Sequence, residues 1–141
     1  MKSQLQVSYY KNRILSMKVS RLKGENNIAK PVLFLAILKG IEDGEILGNR
    51  VVLSDYLESK YKEIFLSFRA TKITSIAYPY YYLNSEDFYY VKGNTTKKTP
   101  SIKFIKEEIE FAALDDELWD LLQDNEIRQI YAQAIISHFI K

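Results

Sequence analysis

The stretch Lys30-Pro31-Val32-Leu33-Phe34-Leu35-Ala36-Ile37-Leu38-Lys39 decides the fold. Every residue from Val32 to Leu38 is apolar, so a helix here has no face left for water and must be buried. Pro31 suits a first helical position, where its missing N–H costs nothing. Asp43-Gly44 closes the pattern, Gly44 serving as a left-handed cap. The expected buried helix spans about 31–43. Ala29 and Lys30 then stand at its positive end, where free backbone N–H groups, the helix dipole and a lysine suit a phosphate-like anion. The plainer alternative is a lysine that merely flanks a core helix.

The chain has 141 residues, enough for one domain with a sizeable core. It has no cysteine, which excludes disulfides and cysteine-ligated metal sites. No stretch reaches the roughly 18–20 apolar residues of a membrane span. Residues 1–10 lack the apolar centre of a signal peptide. A cytoplasmic protein without a membrane partner is the expectation.

The net charge is only +2, but it is segregated. Residues 1–30 carry seven Lys and Arg against Glu25, a net of +6. Residues 104–126 set nine acids against Lys106, a net of −8. A basic flank of this kind can meet a polyanion while the acidic side faces away. Two solvated helix surfaces would give the same pattern.

Outward from the buried stretch, residues 4–19 suit a helix in part, and 20–29 read as a loop that brings Arg21 and Lys23 toward Lys30. Residues 46–53 suggest a short strand. Ser54 or Asp55 caps a helix from Asp55 to Phe68. The aromatic run Ile76 to Leu83, a four-residue turn and Phe88 to Val91 read as a β-hairpin over about 76–91, with Pro79 at an edge. Residues 92–101 form a polar loop. Residues 102–113 read equally as strand or helix. C-terminal helices occupy about 115–140, with Ile127, Ile130, Tyr131, Ala134, Ile135, His138 and Phe139 along one apolar stripe. The expected fold class is α+β: a single domain over 1–141, mainly helical, with a small antiparallel hairpin or sheet.

Catalytic signals are weak. The single histidine, His138, lies on the expected apolar stripe. The acid pairs Glu107-Glu108 and Asp115-Asp116 suit helix ends better than Mg²⁺. The tyrosines Tyr78, Tyr80, Tyr81, Tyr82, Tyr89 and Tyr90 say more: half of them would face the core of a hairpin, and the rest would offer a stacking surface.

Three stretches in order carry a resemblance: Met17-Lys18-Val19-Ser20-Arg21-Leu22-Lys23-Gly24, then Ala29-Lys30-Pro31-Val32-Leu33-Phe34-Leu35-Ala36, then Tyr78-Pro79-Tyr80-Tyr81-Tyr82-Leu83 with a turn and Phe88-Tyr89. With the tail from Leu114 to Phe139, they resemble the sulfur-binding domain that precedes the HNH nuclease domain in McrA-like type IV restriction endonucleases of bacteria. The resemblance covers nearly the whole chain. It implies a non-catalytic module for bacterial defence that recognises double-stranded DNA whose backbone carries a phosphorothioate, with no cofactor and with a fused or partner HNH nuclease. It further implies that Tyr78 and Pro79 line a small apolar cavity for the sulfur, that Ala29 and Lys30 border it, and that Tyr82 helps close its wall. Lys30 would neutralise the modified phosphate. Arg21 and Lys23 would reach neighbouring phosphates or a base edge, and Lys97 and Lys98 would touch the backbone. Many relatives have His at the place of Ala29 and Arg at that of Lys30; here the rim is smaller and the charge a point rather than a fork. A general nucleic-acid binder and a protein-interaction domain with exposed tyrosines remain the rival readings.

Overall fold

The structure is a computed structural model, and it describes residues 3–22, 25–69 and 72–140. In chain order it contains α1 (Gln4–Leu15), β1 (Arg21–Leu22), β2 (Glu25–Asn26), α2 (Ala29–Glu42), α3 (Asp55–Phe68) and α4 (Ala77–Tyr82). A 3₁₀ turn (Leu83–Ser85) leads to β3 (Tyr89–Gly93), α5 (Ile102–Glu108), β4 (Ile109–Leu114), α6 (Asp116–Leu121) and α7 (Asn125–Ile135), which ends in a π turn (Ile136–Ile140). The fold is α+β, mainly helical, with two small antiparallel sheets among the described residues, β1–β2 and β3–β4.

The centre is α2. Every residue from Ala29 to Leu38 is buried, and Val32, Leu33, Phe34, Ala36 and Ile37 are fully so. Gly44 takes a left-handed φ of 75° just beyond the helix and ends it. On one side α2 packs against α3, whose start is fixed by Ser54: the Oγ accepts from Leu57 N at 3.1 Å. On others it meets α4 and α7. Asp124 caps α7, its carboxylate accepting from Glu126 N at 2.8 Å.

Several expectations change. The stretch 76–83 is helical and is not one arm of a hairpin. Ile76, Ala77, Tyr80, Tyr81 and Leu83 are all buried, a helical spacing that the local β preference of tyrosine hides. Pro79 is the third residue of α4, inside the first turn, where its lack of an N–H is harmless. Two hydroxyls fasten the helix: Tyr80 donates to Val51 O and Tyr89 to Tyr80 O, each at 2.6 Å.

The true partner of β3 is β4, with Tyr89 opposite Leu114 and Val91 opposite Ala112. The ambiguous 102–113 segment is thus both things in turn, helix to Glu108 and strand from Ile109. The expected strand at 46–53 shrinks to one bridge. Val51 exchanges two backbone bonds with Ala112, and the Asn49 side chain imitates a further strand residue by bonding both N and O of Leu114. On α7 and its π turn, Tyr131 and Ile135 are buried, but Ile130 and His138 are exposed. The acidic segment does not simply face away from the basic one. Asp115 accepts from Tyr10 and Glu117 from Gln6, both on α1. Among the described residues, no helix is long and apolar enough to cross a membrane.

Candidate nucleic-acid interface

The N-terminal end of α2 is held by its neighbours in sequence. Asn27 donates its N–H to Ser20 O at 2.7 Å, closing the β1–β2 hairpin. Its side-chain Oδ1 accepts from Ala29 N at 2.9 Å and so satisfies one of the helix's first amides. Folding this way brings Lys18, Val19 and Ser20 over the start of α2. They form a small recess with Asn27, Ala29, Lys30 and Tyr78, of about 10 Å³, near the space of one water molecule. Its lining is mostly polar, with Lys18, Ser20, Asn27 and Lys30 beside the smaller apolar share that Val19, Ala29 and Tyr78 can give.

Lys30 is the one buried charged side chain among the described residues, 8% exposed. Its ammonium donates to Lys18 O at 3.2 Å and to Glu86 Oε2 at 3.3 Å. The same carboxylate oxygen accepts from Lys18 N at 3.1 Å. Next to it, Asp87 pairs with Arg13. The turn that follows α4 therefore places two acids within the basic flank. A buried charge of this kind persists only when paired and hydrogen-bonded, and both conditions are met.

Tyr78 is 39% exposed at the mouth of the recess. Its ring lies 5.0 Å from that of Tyr82, centroid to centroid. The Tyr82 hydroxyl donates to Lys98 O, which ties the 94–101 loop to α4. Lys97 in the same loop holds its ammonium 5.2 Å above the Phe104 ring. Burial raises the hydroxyls of Tyr80, Tyr81 and Tyr89, so the aromatic floor beneath stays neutral.

Of the expected site residues, Ala29, Lys30 and Tyr78 meet at one recess. Tyr82 stacks beside it and Lys98 adjoins Tyr82. Pro79 is buried behind Tyr78 and does not line the recess. Arg21 is exposed on β1 and faces a broader trough of about 520 Å³ with His138; Lys18 and Val19 line both hollows. Lys23 lies outside the described residues. Sequence reasoning did not assign Lys18, Ser20, Asn27 or Glu86 to the site. Their types are common in loops, and only the three-dimensional contact distinguishes them.

No protein-family model matches the chain, and no curated protein does. Among solved structures, the chain is similar to the sulfur binding domain of SprMcrA complexed with phosphorothioated DNA, with a TM-score of 0.70. The likeness covers 96% of this chain and 86% of that one, at 14% sequence identity. At that identity the shared property is the fold.

Proposed function

We propose that the chain is a non-catalytic DNA-binding module that reads a phosphorothioate in the backbone of duplex DNA. The observation that carries this reading is the convergence of the adjacent Ala29 and Lys30 with Tyr78, remote from them in sequence, on one recess in a fold shared with a domain solved on phosphorothioated DNA. Sulfur is larger, softer and less hydrated than oxygen. Against the Tyr78 ring and the Ala29 methyl it gains dispersion contacts and loses little solvation. An anionic oxygen placed there is stripped of water, at a cost of about 1–3 kcal/mol if no donor replaces it. Discrimination thus arises largely from rejecting ordinary phosphate.

Pro79 supports Tyr78 from behind in this reading. Tyr82 fixes the ring angle, while Arg21, Lys23, Lys97 and Lys98 supply the salt-dependent attraction common to all DNA. Cleavage, if coupled to this module, belongs to a fused or partner HNH nuclease, and a cytoplasmic setting follows from DNA as the ligand.

The polar wall of Ser20 and Asn27 favours a second reading, in which the recess takes any phosphate. Gel-shift titration of two duplexes identical except for one sulfur separates the two. The expected result is a lower Kd for the sulfur duplex, with Tyr78→Ala shrinking the gap about tenfold. Equal binding of both duplexes by the unmodified chain would favour the general phosphate binder, and no salt-dependent binding of either would favour a protein-interaction domain.

A further inference from the structure

The Lys30–Glu86 pair has a consequence for selectivity that rests on the sulfur reading and goes beyond it. An ammonium has three donors and no acceptor. In Lys30 two partners are already in place, Lys18 O and Glu86 Oε2, and the side chain is nearly fully buried. Glu86 is in turn held by Lys18 N and is itself little exposed. Lys18 thus clamps both members of the pair through its backbone, one through its carbonyl and the other through its amide. Beside the recess, the lysine's charge is already met by a carboxylate of the same chain.

We propose that Glu86 is a specificity-determining residue that keeps the Lys30 ammonium from donating to a phosphate oxygen. An ordinary phosphate entering the recess must then either displace a carboxylate from its cation or accept at most the one remaining N–H of an ammonium whose charge is already met. Both alternatives penalise oxygen, which depends on strong donors. Sulfur is a weak acceptor and loses much less. Glu86 would therefore act as an internal rival to plain phosphate and would widen the gap between the two backbones.

The test is a charge cycle read on the same pair of duplexes, with circular dichroism confirming the fold of each variant. Glu86→Gln keeps an oxygen for Lys18 N but removes the charge. It should tighten binding of plain duplex about tenfold and steepen its log K against log salt slope by roughly one unit. The sulfur duplex should gain clearly less, so that the gap narrows. Lys30→Gln combined with Glu86→Gln should abolish that gain, because the released donor is then gone. In the unmodified chain, the Lys30 ammonium resonance should keep its free-protein position in the complex with sulfur duplex; this needs no variant to fold. A gap unchanged by Glu86→Gln, a gain that survives loss of Lys30, or a Lys30 resonance that shifts fully on binding sulfur duplex would overturn the role of Glu86 alone. An unmodified chain that never prefers the sulfur duplex would overturn the parent reading, and this one with it.

Discussion

A lysine that keeps its ammonium out of water does so at a cost that only its partners offset, and Lys30 has its partners arranged from one backbone residue and one turn. This makes the pair fragile to single changes. Lys30→Gln leaves the Glu86 carboxylate buried beside Lys18 N with its cation gone, and breaking one side of a buried pair costs about 3 kcal/mol. Replacing both residues by Gln removes the stranded charge and should recover most of that loss. Urea denaturation of the single and double variants checks this. A single variant within about 0.5 kcal/mol of the unmodified chain would mean that the pair is solvated in solution. The sequence did expose part of this site. A lysine in front of an uninterrupted apolar run is conspicuous, and so is Tyr78 before a proline. Glu86 is different. In Asn84-Ser85-Glu86-Asp87 it looks like any acid in a polar turn, because the property that matters is the 3.3 Å approach to a residue fifty-six positions earlier.

At the level of elements, legibility followed the strength of local punctuation. The helices α2, α3 and α7 could be read because an apolar run or stripe coincides with a cap: Gly44 after α2, Ser54 before α3 and Asp124 before α7. The short helix α4 could not be, since tyrosines favour strands and a proline argues against helix interiors. Its burial against α2 overrode both. The pairing of β3 with β4 was hidden too, because their connection holds a loop and α5. Gly93 reveals how tightly those elements meet. Its φ is +145°, and a Cβ there would lie 2.4 Å from Glu108 O and 2.8 Å from Ile109 Cα. Both atoms are backbone at the junction of α5 and β4, where the sheet register shifts, so neither can swing aside. Gly93→Ala should cost about 3 kcal/mol, combining backbone strain with a displaced strand. Gly44→Ala is the control, since φ is +75° but nothing lies within 4 Å, and backbone strain alone should cost about 1 kcal/mol. Equal melting temperatures for the two alanine variants would mean that the α5–β4 junction is looser than the geometry requires.

Across the whole molecule, the core is unusually rich in phenol. Tyr61, Tyr80, Tyr89 and Tyr131 are all almost fully buried, and each hydroxyl reaches a backbone oxygen: Thr74, Val51, Tyr80 and Val7 respectively. These bonds join segments far apart in the chain, α7 to α1 and α4 to the Val51 bridge. They also make the fold sensitive to base. Burial is the leading cause that holds these hydroxyls above their ordinary value of 10.0, and it pushes Tyr131 up to about 12. Tyr10 and Tyr56 are raised by burial first, and then by the carboxylates of Asp115 and Asp43 that accept from them. The sign follows from proton counting. Below pH 10 both folded and unfolded chains keep these protons, so tyrosines add no pH dependence. Above it the unfolded chain releases them first, the folded chain binds more, and stability falls as pH rises through the raised values. Each such tyrosine contributes a slope of about 1.4 kcal/mol per pH unit in that window. The urea midpoint should therefore drop steeply above pH 10. Phenolate absorbance of the buried set should rise together with loss of helical ellipticity. Titration of the buried phenols with ellipticity intact would place them in water, and would remove the bonds that hold α4, and with it Tyr78, against the end of α2.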